Sequence, residues 1–153
     1  MKRLSIILLV LMVGLFLTVS AFAESGTKEE CIAKSKEAAQ MITDQGVEAA
    51  TAEINKKDGK FVWKDTYVFL MDLDGNMLAH PIKPSLIGKN LLETPDSAGK
   101  LLFQDFVNVA KNNGEGWVEY MWPKPGADTP QKKITYILRV PDQNLLVGAG
   151  IYE

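Results

Sequence analysis

The sequence is poor in the residues that build most covalent and metal-based sites. Among 153 residues there is one cysteine, Cys31, and one histidine, His80. A single thiol cannot close an internal disulfide, form a dithiol redox pair or supply a cysteine-rich metal centre. A single imidazole, with no neighbouring cysteine or paired carboxylates, gives neither a zinc site nor a catalytic triad. An excess of one charge is also missing. The 17 Lys and Arg are met by 19 Asp and Glu, which leaves no basic surface for nucleic acid or an anionic membrane. After Ala23 no apolar run approaches the length needed to cross a bilayer, and no heptad seam marks a coiled coil.

What is present starts with a charge pair, Lys2 and Arg3, followed by a nearly unbroken apolar run from Leu4 to Val19 and then Ser20-Ala21-Phe22-Ala23. That is the three-part layout of a signal peptide, with small residues where the peptidase needs them, and it predicts cleavage after Ala23. Cys31 lies eight residues further on without a lipobox around it, so a lipid anchor is not expected. Removing 23 of the 153 residues leaves 130, enough for one domain over residues 24–153 and too few for two. The mature balance is 15 basic against 19 acidic residues. The expectation is a periplasmic or secreted protein with no stable membrane insertion after cleavage.

From Glu24 to about Asn55 the chain is rich in Ala, Glu and Lys, with Cys31, Ala38, Met41 and Ile42 at near-helical spacing, then Val47, Ala50 and Ile54. This predicts a long helix and a shorter one, with Gly46 as the break. After Asp58-Gly59 the character changes to β-branched and aromatic. Thr66–Met71 and Met77–Ala79, joined by Asp74-Gly75-Asn76, read as a hairpin. Pro81 and Pro84 put a surface loop up to Asp96. Gly99–Asn113 returns to helical spacing, and three strands follow at Trp117–Trp122, Lys133–Val140 and Leu145–Tyr152. Short turns between them imply an antiparallel sheet. The predicted class is α+β: a long N-terminal helix packed on about five antiparallel strands, with a loop and helix inserted between strands two and three.

Asp72-Leu73-Asp74-Gly75-Asn76 has the look of a calcium loop, but an EF-hand needs Gly at position six and an acid at twelve. Here those positions hold Met77 and Lys83, so a hairpin turn is the better reading. His80, before Pro81, either closes a strand by bonding a backbone carbonyl or offers a hydrogen bond to a ligand. Tyr67, Phe69, Trp117, Tyr120, Trp122 and Tyr136 all fall in predicted strands, where large rings usually fill core. Buried Tyr and Trp nevertheless need partners for their polar tips, and ligand pockets are lined by such residues. Lys133, at a strand start beside them, is either solvated or the counterion of a bound carboxylate.

Taken in order, Gly46-Val47-Glu48-Ala49-Ala50, Asp58-Gly59-Lys60-Phe61-Val62, Tyr67-Val68-Phe69, Asp72-Leu73-Asp74-Gly75, His80-Pro81-Ile82-Lys83-Pro84 and Gly88-Lys89-Asn90-Leu91 lead to Gly114-Glu115-Gly116-Trp117. The series continues through Tyr120–Gly126 and Lys133-Ile134-Thr135-Tyr136 to Gly148-Ala149-Gly150-Ile151-Tyr152. This run, from about Gly46 to Tyr152, resembles the single Cache domain, the PAS-like extracytoplasmic sensor module of bacterial chemoreceptors and histidine kinases. The resemblance implies a pocket between the sheet and the loop after the hairpin. It implies a small organic anion as ligand, a two- or three-carbon carboxylate such as acetate, propionate, pyruvate or lactate, and neither cofactor nor metal. Carried over by motif, the pocket residues are Tyr67, Phe69, His80, Lys83, Trp117, Tyr120, Trp122, Lys133 and Tyr136. Strand alternation sets a condition on the last two: three residues apart, they point to opposite faces unless the strand begins with a bulge.

Receptors of this type continue into a transmembrane helix and a signalling domain, whereas this sequence stops at Glu153. The expectation is therefore a non-catalytic binding protein that hands its ligand state to a membrane receptor or histidine kinase, or that buffers or delivers the ligand. A second reading is an interaction module docking on such a partner with a vestigial pocket. A third, enzymatic reading has Lys133 forming a Schiff base with a keto acid.

Overall fold

The computed structural model describes residues 24–153; the signal segment expected over residues 1–23 lies outside the described residues. Thr27 opens the first helix, α1 (Lys28–Gln45), with a capping box: its hydroxyl accepts the Glu30 N–H while the Glu30 carboxylate accepts the Thr27 N–H. Gly46, at φ +88°, ends α1 in a backbone conformation that L side chains rarely adopt and starts α2 (Val47–Ile54). Both helices and their break fall where the sequence predicts them.

Six strands follow in one antiparallel sheet: β1 (Val62–Trp63), β2 (Thr66–Asp72), β3 (Met77–Ala79), β4 (Glu115–Pro123), β5 (Pro130–Arg139) and β6 (Leu145–Tyr152). The order is β1-β2-β6-β5-β4, with β3 paired to the far part of β2. The strand beyond the expected five is β1, whose two residues are too short to leave a periodic signal. The β2–β3 turn is the predicted hairpin, built by Asp72, whose Oδ1 accepts the N–H groups of Asp74 and Asn76. The inserted helix, α3 (Leu102–Asn113), starts three residues later than expected. Gly99 has φ +84°, and the Asp96 carboxylate accepts the N–H groups of Ala98 and Lys100, so this stretch is held as a turn rather than as the first turn of a helix.

Both faces of the sheet are covered. On one, α1 and α2 bury Cys31, Ala38, Ile42, Ala50 and Ile54 against Val68, Leu70, Val147 and Ala149. On the other, α3 and the loop after β3 bury Leu102, Phe103, Phe106 and Leu91 against Tyr67, Phe69, Met71, Tyr120 and Ile137. Because both sides are dry, β2 carries six consecutive buried residues, Thr66–Met71, rather than an alternating pattern.

Candidate ligand-binding site

The second face contains a cavity walled by Tyr67 and Phe69 of β2, Met77 of β3, His80, Leu102, Phe103 and Phe106 of α3, and Tyr120 and Trp122 of β4. Its volume is about 10 Å³, the scale of one water molecule. The walls are rings in tilted and edge-on contact: Phe106 meets Tyr120 at 5.2 Å, Phe103 meets Trp122 at 6.1 Å and Tyr67 meets His80 at 4.8 Å between centroids.

The polar tips bond to one another. Trp122 Nε1 donates to Tyr67 Oη at 3.0 Å, Tyr120 Oη lies 2.8 Å from Thr135 Oγ1, and Tyr152 Oη donates to the Pro123 carbonyl at 2.9 Å. Burial raises the pKa of all three phenols. His80 is fixed by its surroundings: its N–H donates to Asn55 Oδ1, and its Nδ1 accepts the Lys83 N–H at 2.9 Å. An accepting Nδ1 places the proton on Nε2, which among the described residues has no hydrogen-bond partner. Burial first, then the charges of Lys133 and Lys83, push the His80 pKa down to about 3, so the ring is a neutral donor at physiological pH. The turn that follows His80 carries Lys83 over the Trp122 ring, Nζ 4.3 Å from its centroid.

Lys133 does not line the cavity. It is 1 % exposed, with Nζ 4.1 Å from the centroid of Tyr67, which does line it, and 4.7 Å from that of Tyr152. Its hydrogen bond is a long one, 3.3 Å to Tyr152 Oη, and among the described residues it forms no ion pair. Burial pulls its pKa down to about 7. A buried ammonium without an anion is expensive unless it is neutralised or paired.

Of the nine expected pocket residues, Tyr67, Phe69, His80, Tyr120 and Trp122 share the cavity wall, and Lys83 and Lys133 stand against its aromatic rings. Trp117 and Tyr136 do not belong with them. The pairing of β5 with both neighbours is continuous from Lys133 to Tyr136, with no bulge, so Tyr136 faces the α1 side of the sheet. There it meets Trp117 at 5.4 Å, and its hydroxyl donates to Glu115. Trp117 in turn lies under Lys28 at the start of α1.

Sequence reasoning missed the α3 wall, whose Leu102 and Phe106 read as an ordinary helical stripe. It also missed Thr135, Tyr152 and the part played by Gly148 and Gly150. A Cβ on Gly148 would stand 2.4 Å from Phe69 Cζ, and one on Gly150 would stand 2.1 Å from Thr135 Oγ1. The two glycines thus leave room for Phe69, which lines the cavity, and for Thr135, which holds the Tyr120 hydroxyl. Glycine at alternate positions of a strand is the signal that could have found them.

A sheet carrying an aromatic cavity on one face and a long helix on the other places the fold in the PAS-like class. The profile of the Cache domain family, dCache_2, matches residues 28–153, and the chain belongs to that family. It is similar to the methyl-accepting chemotaxis protein McpP of Pseudomonas putida, 33% identical over 118 residues, which cover 77% of this chain and 20% of that protein. A solved Cache chemosensory domain described for carboxylic acid recognition superposes with a TM-score of 0.71 at 31% identity, covering 81% of this chain and 91% of that one. A periplasmic sensor domain of a chemotaxis protein superposes at 0.66 with 29% identity, over 81% and 88%. The matched segment spans about a fifth of the curated relatives, which also include the sensor histidine kinase MctS of Rhizobium johnstonii. The chain is thus a Cache sensor domain of the type that chemoreceptors and histidine kinases carry.

Proposed function

We propose that this domain is exported, binds a small monocarboxylate such as acetate, propionate, pyruvate or lactate without transforming it, and passes its ligand state to a chemoreceptor or histidine kinase. The observation that carries this reading is Lys133, a fully buried amine with no carboxylate partner among the described residues, set against the Tyr67 ring of an aromatic cavity. An anion there would receive charge-assisted hydrogen bonds in a dry site. The His80 Nε2–H, unpartnered among the described residues, and the hydroxyls of Tyr67 and Tyr120 supply further donors. The relative described for carboxylic acid recognition supports the same chemistry, and the Leu4–Ala23 segment supports export.

The free volume limits the ligand. A space that accepts about one water admits a two- or three-carbon acid only if Tyr67 or Trp122 shifts, so binding includes breaking or lengthening their mutual hydrogen bond. Calorimetry of residues 24–153 against acetate, propionate, pyruvate, lactate and longer homologues tests the reading. Saturable heat with the two- and three-carbon acids, fading with chain length, is expected. No heat and no thermal shift with any of them would overturn it.

A further inference from the structure

Lys133 is enclosed by groups from every element around it, and none of them neutralises it. Cys31 of α1 acts on it only through space, and burial raises that thiol to about 11 and keeps it uncharged. From the β1–β2 turn it feels Asp65, which is already engaged by the Gly26 N–H at 2.8 Å and by Lys124 Nζ at 3.5 Å. From β2, β4 and β6 come the phenols of Tyr67, Tyr120 and Tyr152, all held protonated by burial. From the loop after β3 come Lys83, which repels it, and His80, which is neutral. Lys124 Nζ also lies over the Tyr152 ring, 5.4 Å from its centroid.

This surrounding offers a proton on Lys133 two aromatic faces and one long contact with a phenol. Without that proton a bound carboxylate is left with the neutral donors of His80 and the phenols and with Lys83, which stands over the Trp122 ring. We propose that carboxylate binding at this site is coupled to proton uptake by Lys133, so that the domain reports the carboxylate and the acidity of its surroundings as one signal. The inference rests on the carboxylate reading above and adds its regulation.

The sign follows from the burial. Without ligand, Lys133 loses its proton near pH 7. A carboxylate against Nζ favours the charged form and moves that loss to higher pH. Between the two values each binding event draws a proton from solution, and affinity falls as pH rises, approaching tenfold per pH unit. Below pH 7 the amine is already charged, and the dependence flattens until the ligand itself is protonated. Proton uptake per ligand is therefore expected to be larger at pH 8 than at pH 6.

The test is calorimetry of residues 24–153 with acetate, propionate and pyruvate at pH 6, 7 and 8, each in phosphate and in Tris, whose ionisation heats differ. A buffer-dependent heat at pH 8 that shrinks at pH 6, with weaker Kd at pH 8, is the expected result. Binding with equal heats in the two buffers at pH 8 would overturn the coupling and leave the carboxylate reading standing. No binding of any acid at any pH would overturn both. Lys133→Met, titrated at higher ligand concentration, should lose the buffer dependence. If it keeps it, the proton goes to another group, Lys83 first, and the assignment to Lys133 falls.

Discussion

The two faces of the sheet are equally dry but are filled by different chemistry. Under α1 and α2 the buried fillers are mostly small or aliphatic, with Phe61 the exception and Trp117 and Tyr136 at the margin, and Ser35 is the buried side chain whose Oγ lacks a partner among the described residues. Under α3 the aliphatic residues and phenylalanines are joined by rings with polar ends, Tyr67, Tyr120 and Trp122, and to these β5 adds an amine. Residues of the first kind only have to fit. Those of the second kind hold one another through exchangeable hydrogen bonds, Trp122 to Tyr67 and Tyr120 to Thr135, so a ligand can replace one partner by another with little net loss. The α1 face is a packing surface, while the α3 face has the chemistry of a site.

Substitutions on the two faces sharpen that contrast. The largest effect should come from Gly150→Ala, whose new methyl would meet Thr135 Oγ1 at 2.1 Å and the Ile134 carbonyl at 2.5 Å. Backbone cannot step aside as a flexible side chain can, so a loss of about 3 kcal/mol is expected, read as a lowered denaturation midpoint in urea. An unchanged midpoint would mean that β5 and β6 are less tightly opposed than the structure has them.

Lys133→Met comes next. It keeps the length and removes the charge, so the fold should be at least as stable at pH 7, while carboxylate binding weakens by about tenfold to a hundredfold. Equal affinity for wild type and variant would remove Lys133 from the site and leave His80 and Lys83 as the anion's partners.

The smallest effects should separate two tyrosines. Tyr120→Phe leaves the Thr135 hydroxyl without its partner, at about 1 kcal/mol, and should weaken binding a few-fold by titration. Tyr136→Phe, on the α1 face, should leave affinity unchanged although it loses the contact with Glu115. If the two variants weakened binding equally, the division between the faces would be wrong.

By itself the sequence determined a good deal about this protein. Apolar periodicity located α1 and α2, because burial leaves a period of 3.6 where a helix has a wet side, and β-branched and aromatic content between turn signals located the strands. Turn chemistry at Gly46 and at Asp74-Gly75-Asn76 located the breaks, since few residues tolerate those backbone angles. Residue types also marked Lys133, His80 and the aromatic strands as candidates. Periodicity could not find β1, which is too short, nor place the start of α3, where Asp96 holds a turn that helical propensity alone does not reveal.

Only the tertiary structure decided which candidates meet. Lys133 and Tyr136 differ by three residues, and an unbroken ladder on both sides of β5 sends them to opposite faces. A bulge would have reversed that, and bulges are settled by how neighbouring strands pair, not by the strand's own residues. The unpaired state of Lys133 was equally out of reach. Whether a lysine is solvated, paired or stranded depends on what the rest of the chain brings within a few ångströms, and here it brings two aromatic rings and a phenol instead of a carboxylate.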